Sequence, residues 1–146
     1  MATRSRIGIE NQDGTVTSVY CHWDGYPENN GRILNDHYQD RKKVEQLIAL
    51  GSISSLDKEI DAPEGHTFEN PASGVTVAYH RDRGEPLQAK KSVAVENYFA
   101  GDLEEYGYLF TKDNEWVIKD GYSARNQPPQ KLSAVLDGSE LLVGGH

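Results

Sequence analysis

The chain has 146 residues, 36% of them hydrophobic, with a single cysteine and a formal charge of -8. That length is one domain, large enough to bury a core without staples. One thiol forbids an internal disulfide and fits a reducing compartment, and the acidic balance argues against direct nucleic-acid binding, which needs clustered Lys and Arg. No window approaches the roughly 18 apolar residues of a membrane span and no apolar leader follows the N-terminus, so a cytosolic protein with no membrane partner is expected.

In chain order, Arg6 to Glu10 alternates polar and apolar residues, and Thr15 to Trp23 is rich in β-branched and aromatic ones. With Asp13-Gly14 between them, the pattern predicts a β-hairpin over 6–23. Along its second strand Val16, Ser18, Tyr20 and His22 share one face, and Thr17, Val19, Cys21 and Trp23 share the other. His22 and Trp23 are therefore expected on opposite sides; if the Cys21 and Trp23 face is core, His22 stands on the solvent or ligand face beside Tyr20. Asp24-Gly25-Tyr26-Pro27 breaks the strand. Residues 31–50 read as helical, with a stripe of Ile33, Leu34, His37 and Tyr38, then Val44, Leu47 and Ile48. Asp40 is a candidate N-cap and Gly51 a C′ stop, so one bent helix and two short ones are both compatible.

Residues 52–72 read as a long irregular connection. Val75, Val77 and Tyr79 predict a strand over 74–80, ended by the charged run from Arg81 to Pro86. Residues 92–99 fit a strand or a short helix. A second hairpin is predicted from 106–111 and 115–119 around Lys112-Asp113-Asn114, with Tyr106, Tyr108 and Phe110 on one face. Lys131 to Val143 suits one last strand or helix, making 74–143 the C-terminal strand region. From Glu96 to Gly121 seven acids face two bases, a solvated surface or one that meets a basic partner. Together these elements predict a single α+β domain: a mostly antiparallel sheet with one or two short helices on one face.

The densest chemistry lies between Val19 and Gly31, where Tyr20, Trp23 and Tyr26 accompany Cys21, His22 and Asp24. A plain loop gains nothing from such rings, so a core or a ligand should meet them. Cys21, His22 and Asp24, with Asp36 and His37 beyond, have the side chains of a zinc site. Neighbours on a strand face opposite ways, however, and no metal or other cofactor is expected. Cys21 with His37 as base makes a conceivable nucleophile, but a small buried thiol and a half-buried helix histidine fit better. His80-Arg81-Asp82 matches the His-Arg-Asp of a kinase catalytic loop, yet the downstream Asn, the Gly-rich loop and the Asp-Phe-Gly element are missing. Arg81 and Arg83 suit bidentate capture of phosphate or carboxylate, unless Asp82 and Glu85 already neutralise them. The candidate ligand-binding set is thus Tyr20, His22, Trp23, Asp24, Tyr26, His37, Arg81, Asp82, Arg83 and Glu85.

Over the run from Arg6 to Pro27, with Cys-His-Trp-Asp-Gly-Tyr-Pro at 21–27, the chain resembles a group of small uncharacterised proteins of tailed bacteriophages. The likeness continues at Gly31, His37-Tyr38, Leu50 to Leu56, Tyr79 and Arg81 to Glu85, and more loosely at Glu105 to Phe110 with Trp116. It implies a phage accessory protein in the host cytoplasm and supplies no catalytic residues. The expected function is non-enzymatic: binding a host protein or a small nucleotide-type signalling molecule, in host takeover or anti-defence. One alternative is a small hydrolase or nuclease using His22, His37 and Asp24 or Asp82. Another is a virion or assembly component whose acidic hairpin and aromatic patches make subunit contacts, which would allow a homo-oligomer.

Overall fold

Residues 4–84, 91–94, 106–120 and 130–136 are described by a computed structural model. β1 (Ser5–Glu10) and β2 (Thr15–Cys21) form the expected hairpin, paired from Ser5↔Cys21 to Glu10↔Val16. Gly14, at φ 86, takes the left-handed backbone of the turn, and Asp13 Oδ1 accepts from Thr15 N and Oγ1 at 3.1 and 2.6 Å. Ile7, Ile9, Val19 and Cys21 all enter the core, as the alternation requires.

One turn of π-helix (Pro27–Gly31) leads into α1 (Arg32–His37), and α2 (Arg41–Ala49) follows a break, so the helical stretch is two short helices. Asp40 caps α2 by accepting from Lys42 N at 3.2 Å, and Gly51 stops it at φ 78. His37 corrects one expectation. It is exposed at the last residue of α1, and Tyr38 turns inward instead, its hydroxyl donating to Asp57 O at 2.7 Å.

The connection 52–72 also needs correction, because Ile53–Ser55 is a strand, β3. It pairs in parallel with the end of β2, Cys21↔Ile53, and antiparallel with β4 (Val77–Ala78). The strand expected over 74–80 is cut to β4 and a bridge between Val75 and Glu59, since the chain coils at Tyr79 into α3 (Tyr79–Arg83), closed by Gly84 at φ 74. Between β3 and β4 the backbone is irregular, though Leu56 and Ile60 are buried.

β5 (Lys91–Ala94) runs antiparallel to Thr15–Ser18 of β2, so the undecided segment is strand as far as Ala94, and 95–99 lies outside the described residues. β6 (Tyr106–Phe110) and β7 (Trp116–Asp120) make the second hairpin, with Asn114 left-handed at φ 63. β8 (Gln130–Lys131) adds an edge to β7 and runs into helix α4, residues 132–136. The final segment is therefore both strand and helix; 137–143 and the acids Glu104 and Glu105 lie outside the described residues.

The sheet order is β4-β3-β2-β1-β6-β7-β8, with β5 also beside β2. Pairing is mostly antiparallel, but β1–β6 and β2–β3 are parallel. The class is α+β. Leu34, Val44, Leu47, Ile48, Leu132 and Leu136 from the helices meet Ile7, Val19, Tyr108, Phe110 and Ile118 of the strands in one core cluster. Val16, Ser18 and Leu109 are buried as well. Among the described residues no helix is long and apolar enough to cross a membrane.

Candidate functional site

Strand β2 hands the chain to an exposed turn whose backbone is fixed from inside. Ladder-like bonds persist for two residues past Cys21: His22 N donates to Ile53 O at 3.1 Å and Trp23 N to Ser54 O at 2.9 Å. Asp24 then takes φ 57, a left-handed geometry that Asp tolerates better than most residues, and ends the extended run. Four successive carbonyls are now held. Trp23 O accepts the Cys21 thiol at 3.6 Å, and Asp24 O accepts Asn29 Nδ2 at 3.2 Å. Gly25 O accepts the buried Tyr108 hydroxyl at 2.6 Å, and Tyr26 O accepts Asn29 N and Asn30 N, each at 3.1 Å. Asn30, fully buried, ties the far side of the turn to Ser5 Oγ and Cys21 Sγ at 3.3 Å each.

The side chains point the other way. Trp23 is 44% exposed and Tyr26 36%, the exposed large hydrophobics among the described residues, and Asp24 between them is exposed too. The Tyr20 hydroxyl and His22 Nδ1 are 2.7 Å apart, and the His22 ring meets Trp23 edge-on with centroids 4.7 Å apart. Arg6 stands opposite Tyr20 in the β1–β2 register, its Nε donating to Ser18 Oγ at 3.0 Å. Tyr20 and His22 keep company as the alternation implied, but Trp23 does not follow Cys21 into the core. Pairing with β1 ends at Cys21, so strand alternation no longer governs Trp23, which sits against His22 instead. Cys21 is a buried neutral thiol: burial pushes its pKa from 9.0 to about 11, with hydrogen bonds from Asn30 and Ser5 opposing. Such a thiol is neither a nucleophile nor a metal-ligating thiolate at neutral pH.

The second candidate cluster is knitted together differently. Asp82 Oδ2 accepts Ala78 N at 2.8 Å and lies 3.1 Å from His66 Nε2, while Arg81 Nε and Nη2 reach the two carboxylate oxygens at 2.8 and 3.0 Å. Arg81 Nη1 also donates to Ile60 O, and Nη2 to Thr76 O at 2.7 Å. Each guanidinium nitrogen is therefore engaged within the protein. His66, whose side chain is fully buried, accepts Ala72 N on Nδ1 at 2.9 Å, which places the proton of the neutral ring on Nε2, toward Asp82. Burial would raise the Asp82 pKa, but the bonds from Arg81, Ala78 N and His66 overcome it and hold it at about 2. The network fastens 60, 66, 72, 76 and 78 to α3; it presents no free base. Glu85 and the side chain of Arg83 lie outside the described residues.

Of the predicted site residues, Tyr20, His22, Trp23, Asp24 and Tyr26 share one turn and its approach strand. Arg81 and Asp82 form a separate cluster, and among the described residues no contact joins His37 to either. Nor do any three His, Cys, Asp or Glu side chains there gather as metal ligands. Sequence reasoning missed His66, Asn30 and Tyr108, whose partners are 16, 25 and 83 residues away, and nothing in the polar run Glu28-Asn29-Asn30-Gly31 marks Asn30 as buried. Comparison with family models, curated proteins and solved structures gives no match for this chain.

Proposed function

We propose that this chain is a non-enzymatic binding protein that docks a protein partner of basic surface on the turn from His22 to Glu28. One observation carries the reading: the carbonyls of residues 23–26 are held from within while Trp23, Asp24 and Tyr26 face solvent. A turn fixed before binding loses little further entropy on docking, and exposed Trp and Tyr are the residues that most often dominate interface energy. Asp24 and a chain charge of -8 favour a positively charged partner. With the resemblance to phage proteins, the partner is a host protein and the compartment the host cytoplasm. A nucleotide-type ligand has less support, because the Arg81 nitrogens offered to its phosphate already donate to Asp82, Ile60 and Thr76. A hydrolase would need His22 and His37 to meet a carboxylate, and those contacts are absent among the described residues.

The test is native mass spectrometry of the chain recovered from host lysate, followed by calorimetry with the identified partner. Trp23→Ala is expected to weaken binding by about 2 kcal/mol or more while leaving the melting temperature unchanged. Rising salt should weaken it further through slower association. A bound small molecule, a clean homo-oligomer, or unaltered binding by Trp23→Ala would overturn the reading.

A further inference from the structure

The irregular stretch between β3 and β4 is a loop closed on a buried histidine. Its ends are stitched together by Glu59 N–H to Gly74 O at 3.0 Å and Thr76 N–H to Glu59 O at 2.8 Å, around the Glu59–Val75 bridge. A compact surface loop whose ends meet packs on its own side chains, and His66 supplies that packing here. Its side chain is fully buried, although residues 61–65 and 67 are exposed. The bonds within the loop are local: His66 N–H donates to Pro63 O at 3.1 Å, Thr67 N–H to Asn70 O at 3.3 Å and Asn70 N–H to Thr67 Oγ1 at 2.9 Å. The loop rests on the body through His66 against Asp82 and through Phe68 on the Tyr79 ring, centroids 5.6 Å apart.

This arrangement requires the neutral ring. Nδ1 accepts Ala72 N–H at 2.9 Å, and Nε2 faces Asp82 Oδ2 at 3.1 Å. A proton added at Nδ1 turns that acceptor into a donor, sets N–H against N–H, and the Ala72 bond is lost. The surroundings oppose the added charge as well. Asp82 already holds Arg81 with both carboxylate oxygens, so the pair carries no net charge, and an imidazolium would leave the cluster positive in a site shut off from water. Asp82 stays ionised throughout, its carboxyl held at about 2. The other titratable groups of the loop and of α3 nearby, Asp61, Glu64, Glu69 and His80, are exposed. An open loop hands the imidazolium to water instead.

We infer that His66 is an acid-released pin: the loop is closed on a neutral His66, and protonation breaks its hold on Ala72 and frees residues 66–72 while the sheet stays folded. The sheet keeps its own fastenings, since the Glu59–Val75 bridge and the bonds from Asp82 and Arg81 to Ala78, Thr76 and Ile60 do not pass through His66. The released segment carries Phe68 off Tyr79 and uncovers Asp82, so acid changes the surface of the molecule at the α3 end without unfolding it.

The experiment is ¹H–¹⁵N NMR of the full chain from about pH 8 to about pH 5, the span in which imidazoles take up a proton, with amide exchange measured at both ends. At the upper end the His66 ring nitrogens should report the Nε2–H tautomer. As the imidazolium forms, the protection factor of the Ala72 amide should fall at least about tenfold and the resonances of 66–72 should shift, while the Ile7 and Val19 amides keep their protection. In His66→Asn, which has no group that titrates in this span, Ala72 exchange should lose its pH dependence. A ring that stays neutral throughout, an Ala72 amide still protected beside an imidazolium, loss of protection in step with Ile7 and Val19, or the same pH dependence in His66→Asn would overturn the inference. None of these outcomes bears on the Trp23 turn.

Discussion

Cys21 and Tyr108 show how single buried groups shape an exposed surface. The thiol bonds Trp23 O and receives Asn30 Nδ2, and the phenol bonds Gly25 O, so both act on the turn without touching solvent. Native protein at neutral pH is expected to resist thiol alkylation while the urea-unfolded chain labels quickly, a contrast read by mass spectrometry. Tyr108→Phe keeps the ring but strands the Gly25 carbonyl, which should lower unfolding free energy by about 1–3 kcal/mol in urea titrations. The same variant should weaken partner binding although Tyr108 is far too buried to contact a partner. Trp23→Ala should separate the two effects, losing binding at unchanged stability.

At the scale of elements, the second hairpin depends on one residue that tolerates positive φ. Asn114→Ala is expected to cost about 1 kcal/mol by thermal or urea unfolding, because Ala tolerates the left-handed φ of 63 less well than Asn, and Asn114→Gly little or nothing, because Gly takes that backbone without a Cβ. Elements whose signals are local could be read before the structure: both hairpins carry turn residues between alternating runs, and α2 carries its own Asp40 cap and Gly51 stop. Elements defined by distant partners could not. Ile53–Ser55 is a strand because Cys21 and Ala78 flank it, and nothing in Ser52-Ile53-Ser54-Ser55 marks it apart from a loop. Tyr79 alternates with Val75 and Val77 like a strand residue, yet Asp82 captures Ala78 N and Arg81 captures Thr76 O, which winds the chain into α3. The candidate turn was legible by composition, because its aromatics are crowded into a few residues. Its rigidity was not, because the groups that fix it arrive from Ser5, Asn30 and Tyr108. The placement of Trp23 was open in the sequence, since strand alternation groups it with Cys21 while the crowded aromatics suit an exposed surface, and it turns on where pairing with β1 ends.

For the molecule as a whole, the buried acids set opposite limits on pH. Burial raises the Cys21 pKa from 9.0 to about 11 and that of Tyr38 from 10.0 to about 12, and lifts Tyr108 as well. The folded state therefore holds protons that the unfolded chain releases, and stability complete below pH 9 is lost as pH rises through 11 and 12. Asp82 works in reverse. Its pKa, lowered from 3.8 to about 2, gives stability that is present above 3.8 and lost as pH falls toward 2. Urea midpoints measured across pH should show both declines, with Asp82→Asn flattening the acid limb and Cys21→Ala the first part of the alkaline one. The central place of β1 has a consequence in time. Its second neighbour, β6, begins 101 residues after β1 does, at Tyr106. At a synthesis rate of about 5–20 residues per second, the inner edge of the first hairpin stays open for roughly 5–20 s on the ribosome. Throughout that interval a long unpaired strand edge is on offer to any passing chain, and chaperone dependence during translation, more than final stability, should govern how much folded protein a cell accumulates.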